Sequence, residues 1–260
     1  MQRDYKFSSV IILQFISAII VFLIAKLFGT SPNDLESMGT SFSGIISNIL
    51  TTIVFITFQF MIARGLVYNR MGTVGEYMDG INHLNLKVIG VCFLISLLPN
   101  LAWIFLGFSL VTTIAAGFMI NNSFSAVSTA VGLVLLILIG QIVYSAFTNY
   151  RFLLAADRPE LSFADLFKGT FKVGKDLFGK TLKTYAKWLI LPVLVFIALI
   201  VPLGTYANGI FSFFLMYILI LAFAIYAVLA TTFVLGELSN HYLDYKNNYS
   251  KTYEKIVYEA

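Results

Sequence analysis

Long apolar runs separated by shorter polar stretches make up most of this chain. A helix that crosses the hydrocarbon core of a bilayer needs about 20 mostly apolar residues. The first run is longer than the apolar core of a signal peptide and lacks a small-residue cleavage site, so we interpret it as an uncleaved span. The pattern predicts an all-α, polytopic membrane protein with six transmembrane helices, at residues 7–28, 42–63, 88–108, 124–150, 188–203 and 210–235.

The third run is the ambiguous one, because residues 88–120 are too many for one straight span. Pro99 and Asn100 lie inside it, and proline removes a helical hydrogen bond and disfavours helical geometry in the residue before it. The alternatives are a kinked span with an apolar outer loop, or a span followed by a re-entrant or interfacial piece. We favour a span at 88–108, which leaves 109–122 as either a re-entrant segment or an outer loop.

Composition supports this class and leaves no room for a separate catalytic domain. The 260 residues are 59% hydrophobic and 12% charged, with a mean hydropathy of +0.87. A soluble domain is about 45–50% apolar and about 25% charged. Residues 1–260 are therefore predicted to form a single integral membrane domain, and the single cysteine excludes a disulfide framework.

The positions of the basic residues predict the orientation. With six spans, sixteen of the seventeen Lys and Arg residues fall on one side, and only Lys26, near the end of the first span, does not. Loops that face the cytoplasm carry the excess of Lys and Arg. The distribution predicts a multi-pass protein of the plasma membrane with both termini in the cytoplasm.

The polar stretch at 160–187 has apolar residues at the helical spacings of three and four, with lysines between them. This pattern is typical of an amphipathic helix that lies in the bilayer interface on the cytoplasmic side, and a second interfacial segment is predicted at 70–87. Gly174 and Gly179 predict breaks, because glycine costs a helix about 1 kcal/mol relative to alanine. The lysines expected to contact anionic lipid headgroups or a partner are Lys168, Lys172, Lys175, Lys183 and Lys187. The alternative is an anchor that only positions the fifth span.

Two capping-box signatures predict where these surface helices begin. Thr73 is followed three residues later by Glu76, and Ser162 by Asp165. In a capping box the hydroxyl accepts a backbone N–H three residues on, and the acidic side chain accepts the N–H of the cap residue.

Within the predicted spans, the strongly polar candidates are four uncharged residues: Gln14, Gln59, Asn100 and Gln141. No charged residue lies at the centre of a confidently predicted span. Because charges placed inside a membrane usually serve transport or proton relay, proton coupling is not favoured. A passive path for a lipid-like or amphipathic molecule remains compatible with the pattern.

The sequence Arg158-Pro159-Glu160-Leu161-Ser162-Phe163, followed by Asp165-Leu166-Phe167-Lys168, resembles a family of uncharacterised multi-pass membrane proteins of Gram-positive bacteria. The aromatic end of the preceding span, with Phe147, Tyr150 and Phe152, matches the same pattern. The resemblance implies six spans in a bacterial plasma membrane and no established reaction. The chain is also distantly similar to the membrane domain of some glycerophosphodiester phosphodiesterases, but their catalytic barrel is absent, so that activity does not carry over.

No motif for catalysis stands out. We find no His-Glu-x-x-His pattern, no phosphate-binding P-loop and no clustered acid and base in a span, so we expect no enzyme, no cofactor and no metal.

The expected partners are the bilayer, anionic headgroups or another membrane protein, and not nucleic acid. The sequence favours a non-catalytic scaffold, lipid-interacting or immunity and accessory factor that acts through its basic cytoplasmic surface. The alternative is a transporter or export accessory for a lipid-like or amphipathic peptide substrate.

Overall fold

The computed structural model describes residues 4–28, 42–99, 112, 123–206 and 210–248. It is about 90% helical, and no strand occurs in these parts of the chain. The prediction of an all-α protein is therefore confirmed. The predicted connection at 109–122, apart from Thr112, and the end of the predicted third span lie outside the described residues.

Nine α-helices occur in the described parts of the chain. A 3₁₀ turn at Asp79–His83 follows the third of them, and a π-helical turn at Ala186–Ile190 joins the seventh to the eighth. The helices are α1 Phe7–Leu27, α2 Phe42–Tyr68, α3 Val74–Met78, α4 Leu86–Pro99, α5 Ser123–Thr148, α6 Arg151–Asp157, α7 Phe163–Tyr185, α8 Leu191–Tyr206 and α9 Ile210–Asn248.

Five helical segments in the described residues are long and apolar enough to cross a bilayer. They are Phe7–Leu27, Phe42–Tyr68, Gly132–Asp157, Phe178–Pro202 and Phe214–Asn248. A sixth is counted if Val74–His83 and Leu86–Pro99, which meet at 99°, form one broken span. Several segments of this kind indicate a multi-pass membrane protein. That the protein has six transmembrane helices remains a prediction. The segment that contains α8 begins at Phe178, well before the predicted start at residue 188.

Exposed apolar side chains lie along α1, α5, α8 and α9, as expected of helices that face hydrocarbon. Phe22, Leu136, Leu194 and Phe214 are each more than half exposed. The buried core lies instead where α6 meets the ends of α2, α7 and α9, and all six residues at 152–157 are buried there. The short helix α6 is thus an internal element rather than part of a polar surface loop.

The helix α7 runs without interruption past both of its central glycines, so the predicted break at Gly174 or Gly179 is wrong. At Gly174 the backbone lies against the end of α5: a Cβ added there would be 1.9 Å from the carbonyl oxygen of Phe147. Only a residue without a side chain permits this approach. Close packing therefore explains Gly174, whereas nothing lies within 4 Å of a Cβ added at Gly179.

The two predicted capping boxes differ by one bond. At Thr73 both halves are present, so that prediction is confirmed. At Ser162 the hydroxyl accepts the N–H of Asp165 at 3.2 Å, but the Asp165 carboxylate accepts from the Ser162 hydroxyl instead of from its backbone N–H. Aspartate is one methylene shorter than the glutamate of a complete capping box, so its carboxylate does not reach the backbone N–H of Ser162.

Candidate functional site

The helix α7 separates a buried face from a lysine-rich face. Small and apolar side chains of the buried face pack against α5, α6 and α9. The Phe147 and Phe178 rings stack with centroids 4.8 Å apart, and the Tyr150 and Thr181 hydroxyls are 2.8 Å apart. The expectation that this face rests on lipid therefore needs correction, because much of it is covered by the protein itself. The location of α7 at the membrane surface is inferred only from the positions of its lysines and stays a prediction.

Four of the five predicted lysines lie together on the outer side of α7. At 3.6 residues per turn, Lys168, Lys172, Lys175 and Lys183 fall within an arc of about 80°, and all four are exposed. We call these four residues the basic face. Lys187 lies apart from them: its Nζ is 3.3 Å from the Glu237 carboxylate and 4.6 Å from the centre of the Trp188 ring.

A buried carboxylate, that of Asp157, joins α6 to two other helices. Its side chain is 1% exposed. It accepts hydrogen bonds from the Tyr242 hydroxyl at 3.0 Å and the Tyr68 hydroxyl at 3.3 Å, and pairs with Lys246 at 2.5 Å. A buried charge must be paired and hydrogen-bonded, and Asp157 is both. Its role is therefore to fix the ends of α2, α6 and α9.

The second half of α9 makes similar polar contacts with other elements. Arg70, which follows α2, donates to Ser239 at 3.0 Å and to Asn240 at 2.7 Å. The Tyr245 hydroxyl donates to Asp176 of α7 at 2.8 Å. These bonds connect α7 and the segment that follows α2 to α9.

A polar cavity of about 390 Å³ lies between α1, α2, α4 and the end of α5. Its volume falls within the range of about 300–1,000 Å³ that is usual for ligand sites. Hydroxyl and amide side chains form much of the wall, together with one guanidinium group, that of Arg151. The lining residues are Val21, Thr51, Thr52, Phe55, Ser96, Pro99, Gln141, Tyr144, Ser145, Thr148, Asn149 and Arg151.

Arg151 has little to balance its charge. Its Nη2 donates to the Ser96 hydroxyl at 3.3 Å, and its Cζ lies 4.7 Å from the centre of the Phe152 ring. Its Nε is buried and has no hydrogen-bond partner among the described residues. No Asp or Glu occurs among the described residues that line the cavity. Because leaving a buried charged group unsatisfied is costly, this arrangement distinguishes Arg151 from the paired Asp157.

The four polar residues predicted within the spans have different surroundings. Gln14 has a structural role, because its Oε1 accepts the Thr232 hydroxyl of α9 at 2.7 Å. Gln59 borders a gap of only about 10 Å³. Gln141 lines the polar cavity, and Asn100 lies outside the described residues. Of the three that the structure describes, Gln141 is therefore the one beside a space large enough for a ligand.

A second cavity, of about 300 Å³, lies between the start of α1 and the middle of α9. Tyr5, Trp188 and Phe233 line it, but the Trp188 and Phe233 rings already stack on each other at 4.6 Å. Its Glu237 carboxylate accepts from Trp188 Nε1 at 2.5 Å and pairs with Lys187. Burial raises the pKa of Tyr5 above its ordinary value. Asp4 also lines this cavity, and no Lys or Arg occurs among its described lining residues, so it offers an anion less than the cavity at Arg151 does.

Sequence reasoning counted Arg151 only as one of many cytoplasmic charges, and it did not single out Asp157. The available signal was the run between them, because residues 152–156 are all apolar although they lie between the predicted span at 124–150 and the polar stretch at 160–187. If such an apolar run is buried, the charged residues at its two ends are expected to be at least partly buried with it. Among the described residues, no three His, Cys, Asp or Glu side chains are grouped so as to hold a metal ion.

Compared with models of protein families, with curated proteins and with solved structures, the chain shows no significant match to any of them. The resemblance to multi-pass proteins of Gram-positive bacteria therefore stays a prediction from the residues at 158–168. The class of the protein follows from its own helices: they are long, apolar and largely exposed, as in a multi-pass membrane protein.

Proposed function

We propose that the chain is a non-catalytic, lipid-interacting membrane scaffold whose basic face binds anionic headgroups at the cytoplasmic surface of the plasma membrane. The observation that carries the proposal is the arrangement of α7. Its inner face is fixed to α5, α6 and α9, so Lys168, Lys172, Lys175 and Lys183 remain together on the outside. A lysine near an anionic membrane surface contributes about 1 kcal/mol. Four on a rigid helix favour anionic over neutral lipid without any chemical reaction.

The test measures lipid selectivity in a bilayer. The purified full chain is reconstituted in phosphatidylcholine, and spin-labelled phosphatidylglycerol reports the fraction of lipid that the protein immobilises. Replacing the four lysines of the basic face with glutamine should reduce the preference for phosphatidylglycerol over spin-labelled phosphatidylcholine at least tenfold at low salt. Replacement with arginine should preserve it, because the charge is kept.

High salt should reduce the preference of the parent protein, because exposed charges are screened over about 10 Å at 0.1 M. If the glutamine variant keeps the full preference at low salt, the proposal fails. The basic face then serves only to orient the span that follows α7.

A second candidate function is favoured by the polar cavity: a transporter or export accessory for a lipid-like or amphipathic molecule. Gln141 lines this cavity together with Arg151, the one arginine among its described lining residues. The test is a flux assay in proteoliposomes with a fluorescent, short-chain anionic lipid. Gln141→Leu should lower the flux severalfold, and Gln59→Leu, at a residue that does not border the cavity, should not. Equal flux in protein-free vesicles would refute this function.

A further inference from the structure

We propose that the polar cavity between α1, α2, α4 and α5 is a binding site for one oxyanion, the phosphate group of an amphiphile, with Arg151 and Gln141 as its donors. The site is separate from the basic face on α7, and neither requires the other. It differs from lipid attraction at a charged surface because it holds a single anionic group between the walls of four helices.

The first argument is charge. A guanidinium is always protonated and presents five donors in a planar fork that suits phosphate and carboxylate oxygens. Arg151 uses one of these donors on Ser96, and its buried Nε has no partner among the described residues. Since the described wall carries no Asp or Glu, an anion that enters the cavity would supply the counter-charge that the protein does not.

The second argument is the state of the other polar groups. The hydroxyls of Thr52 and Thr148 donate to backbone carbonyls of their own helices, at 2.7 Å and 2.9 Å. The Tyr144 hydroxyl donates to the carbonyl of Ile95 at 2.6 Å. These three hydroxyls donate within the protein, which leaves the guanidinium of Arg151, the amides of Gln141 and Asn149 and the hydroxyl of Ser145 among the donors of the wall. A donor set of this kind selects an acceptor-rich anion over a cation.

The third argument is the shape of the wall. Val21, Phe55 and Pro99 add an apolar part to a cavity whose polar part holds Arg151 and Gln141. A volume of about 390 Å³ holds far more than a bare phosphate, since a water takes about 30 Å³ of liquid volume. The combination suits a phosphate that carries an acyl chain, although free phosphate shares the same recognition chemistry.

The experiment uses the full chain purified in a neutral detergent, with thermal stabilisation and calorimetric titration as readouts. The probes are dioctanoyl phosphatidic acid, inorganic phosphate and, as the neutral reference, dioctanoyl diacylglycerol. We expect the phosphatidic acid to bind and to raise the unfolding temperature. Arg151→Gln should weaken binding by about ten- to one-hundredfold, the range for losing a hydrogen bond to a charged group.

Arg158→Gln is the matched control, because Arg158 lies seven residues further on, outside the cavity, and pairs with Glu160 at 3.5 Å. It should bind as the parent does, and so should the quadruple glutamine variant of the basic face, which separates this proposal from the one above. If Arg151→Gln does not fold, Gln141→Leu serves instead and should weaken binding several-fold.

Each result decides the matter. Binding of the phosphatidic acid but not of inorganic phosphate identifies an amphiphile site, and equal binding of both identifies a site for the free anion. The proposal is overturned if neither probe binds the parent protein. It is also overturned if the neutral diacylglycerol binds as tightly as the phosphatidic acid, or if the cavity variants bind as the parent does.

Discussion

Replacing a glycine of α7 with alanine should have opposite effects at two positions only five residues apart. Considered as isolated helix positions, Gly174 and Gly179 are equivalent, and alanine would stabilise the helix by about 1 kcal/mol at either one. The surroundings differ. A Cβ at Gly174 would be 1.9 Å from the carbonyl oxygen of Phe147 and 2.7 Å from its Cα, whereas a Cβ at Gly179 meets nothing within 4 Å.

The magnitude follows from what must move. The atoms facing Gly174 belong to the backbone of α5, so no side chain can rotate away, and α7 must shift outwards by more than 1 Å to reach ordinary contact. Overpacking of this kind costs about 1–3 kcal/mol. It also strains the bond between Tyr150 and Thr181. The gain in helix propensity offsets about 1 kcal/mol of this cost, so the net expectation for Gly174→Ala is destabilisation by up to about 2 kcal/mol, against stabilisation by up to about 1 kcal/mol for Gly179→Ala.

The assay is thermal unfolding of the purified variants in one detergent at one heating rate, followed by tryptophan fluorescence and by the monodisperse fraction after heating. For a chain of this size, 1 kcal/mol corresponds to about 2–4 °C. Gly174→Ala should therefore unfold a few degrees below the parent and Gly179→Ala slightly above it. If both substitutions raise the unfolding temperature, α7 does not approach α5 as described, and the reasoning is refuted.

Three other predictions follow from the described contacts and charges. Asp157→Ala removes the carboxylate that Tyr242 and Lys246 share, while the Tyr68 hydroxyl keeps its 3.0 Å bond to the backbone carbonyl of residue 157. It should cost about 1–3 kcal/mol, measured as loss of folded protein after detergent extraction. Glu160→Ala, which removes an exposed ion pair, should cost less than about 1 kcal/mol, and equal losses would contradict the assigned role of Asp157. Thr73→Ala should lower stability by about 1 kcal/mol through loss of the cap, and Thr73→Ser should not. Reporter fusions at Leu35 and Thr170 should report opposite sides of the membrane, so that same-side reports would exclude the six-span topology.

The helical class and the membrane character were predictable from the apolar runs, because length and hydropathy are properties of each segment alone. The two faces of α7 were predictable for the same reason. What covers its apolar face was not, because lipid tails are as apolar as leucine side chains. Phe178 would serve equally well against acyl chains or against the Phe147 ring that it contacts.

The errors and omissions arise where distant parts of the chain meet. Helix propensity alone predicted that α7 breaks at Gly174. The position of Phe147 shows that the glycine instead allows close contact between α7 and α5. Arg151 and Asp157 carry opposite charges six residues apart, and the sequence does not reveal that one is fully paired while the other lines a cavity. Burial of such groups is decided by tertiary partners, which the order of residues does not specify.

The bonds made by the second half of α9 have a consequence for how the chain is made. Thr232, Tyr242 and Lys246 emerge from the ribosome after Gln14 and Asp157, the residues that they bind. Until then, Gln14 lacks its bond to Thr232, and the buried Asp157 carboxylate has Tyr68 but neither Tyr242 nor Lys246. These contacts therefore form only after α9 has been made, and synthesis that stops before Thr232 would leave polar groups without these partners, for an insertase to hold or a membrane protease to recognise.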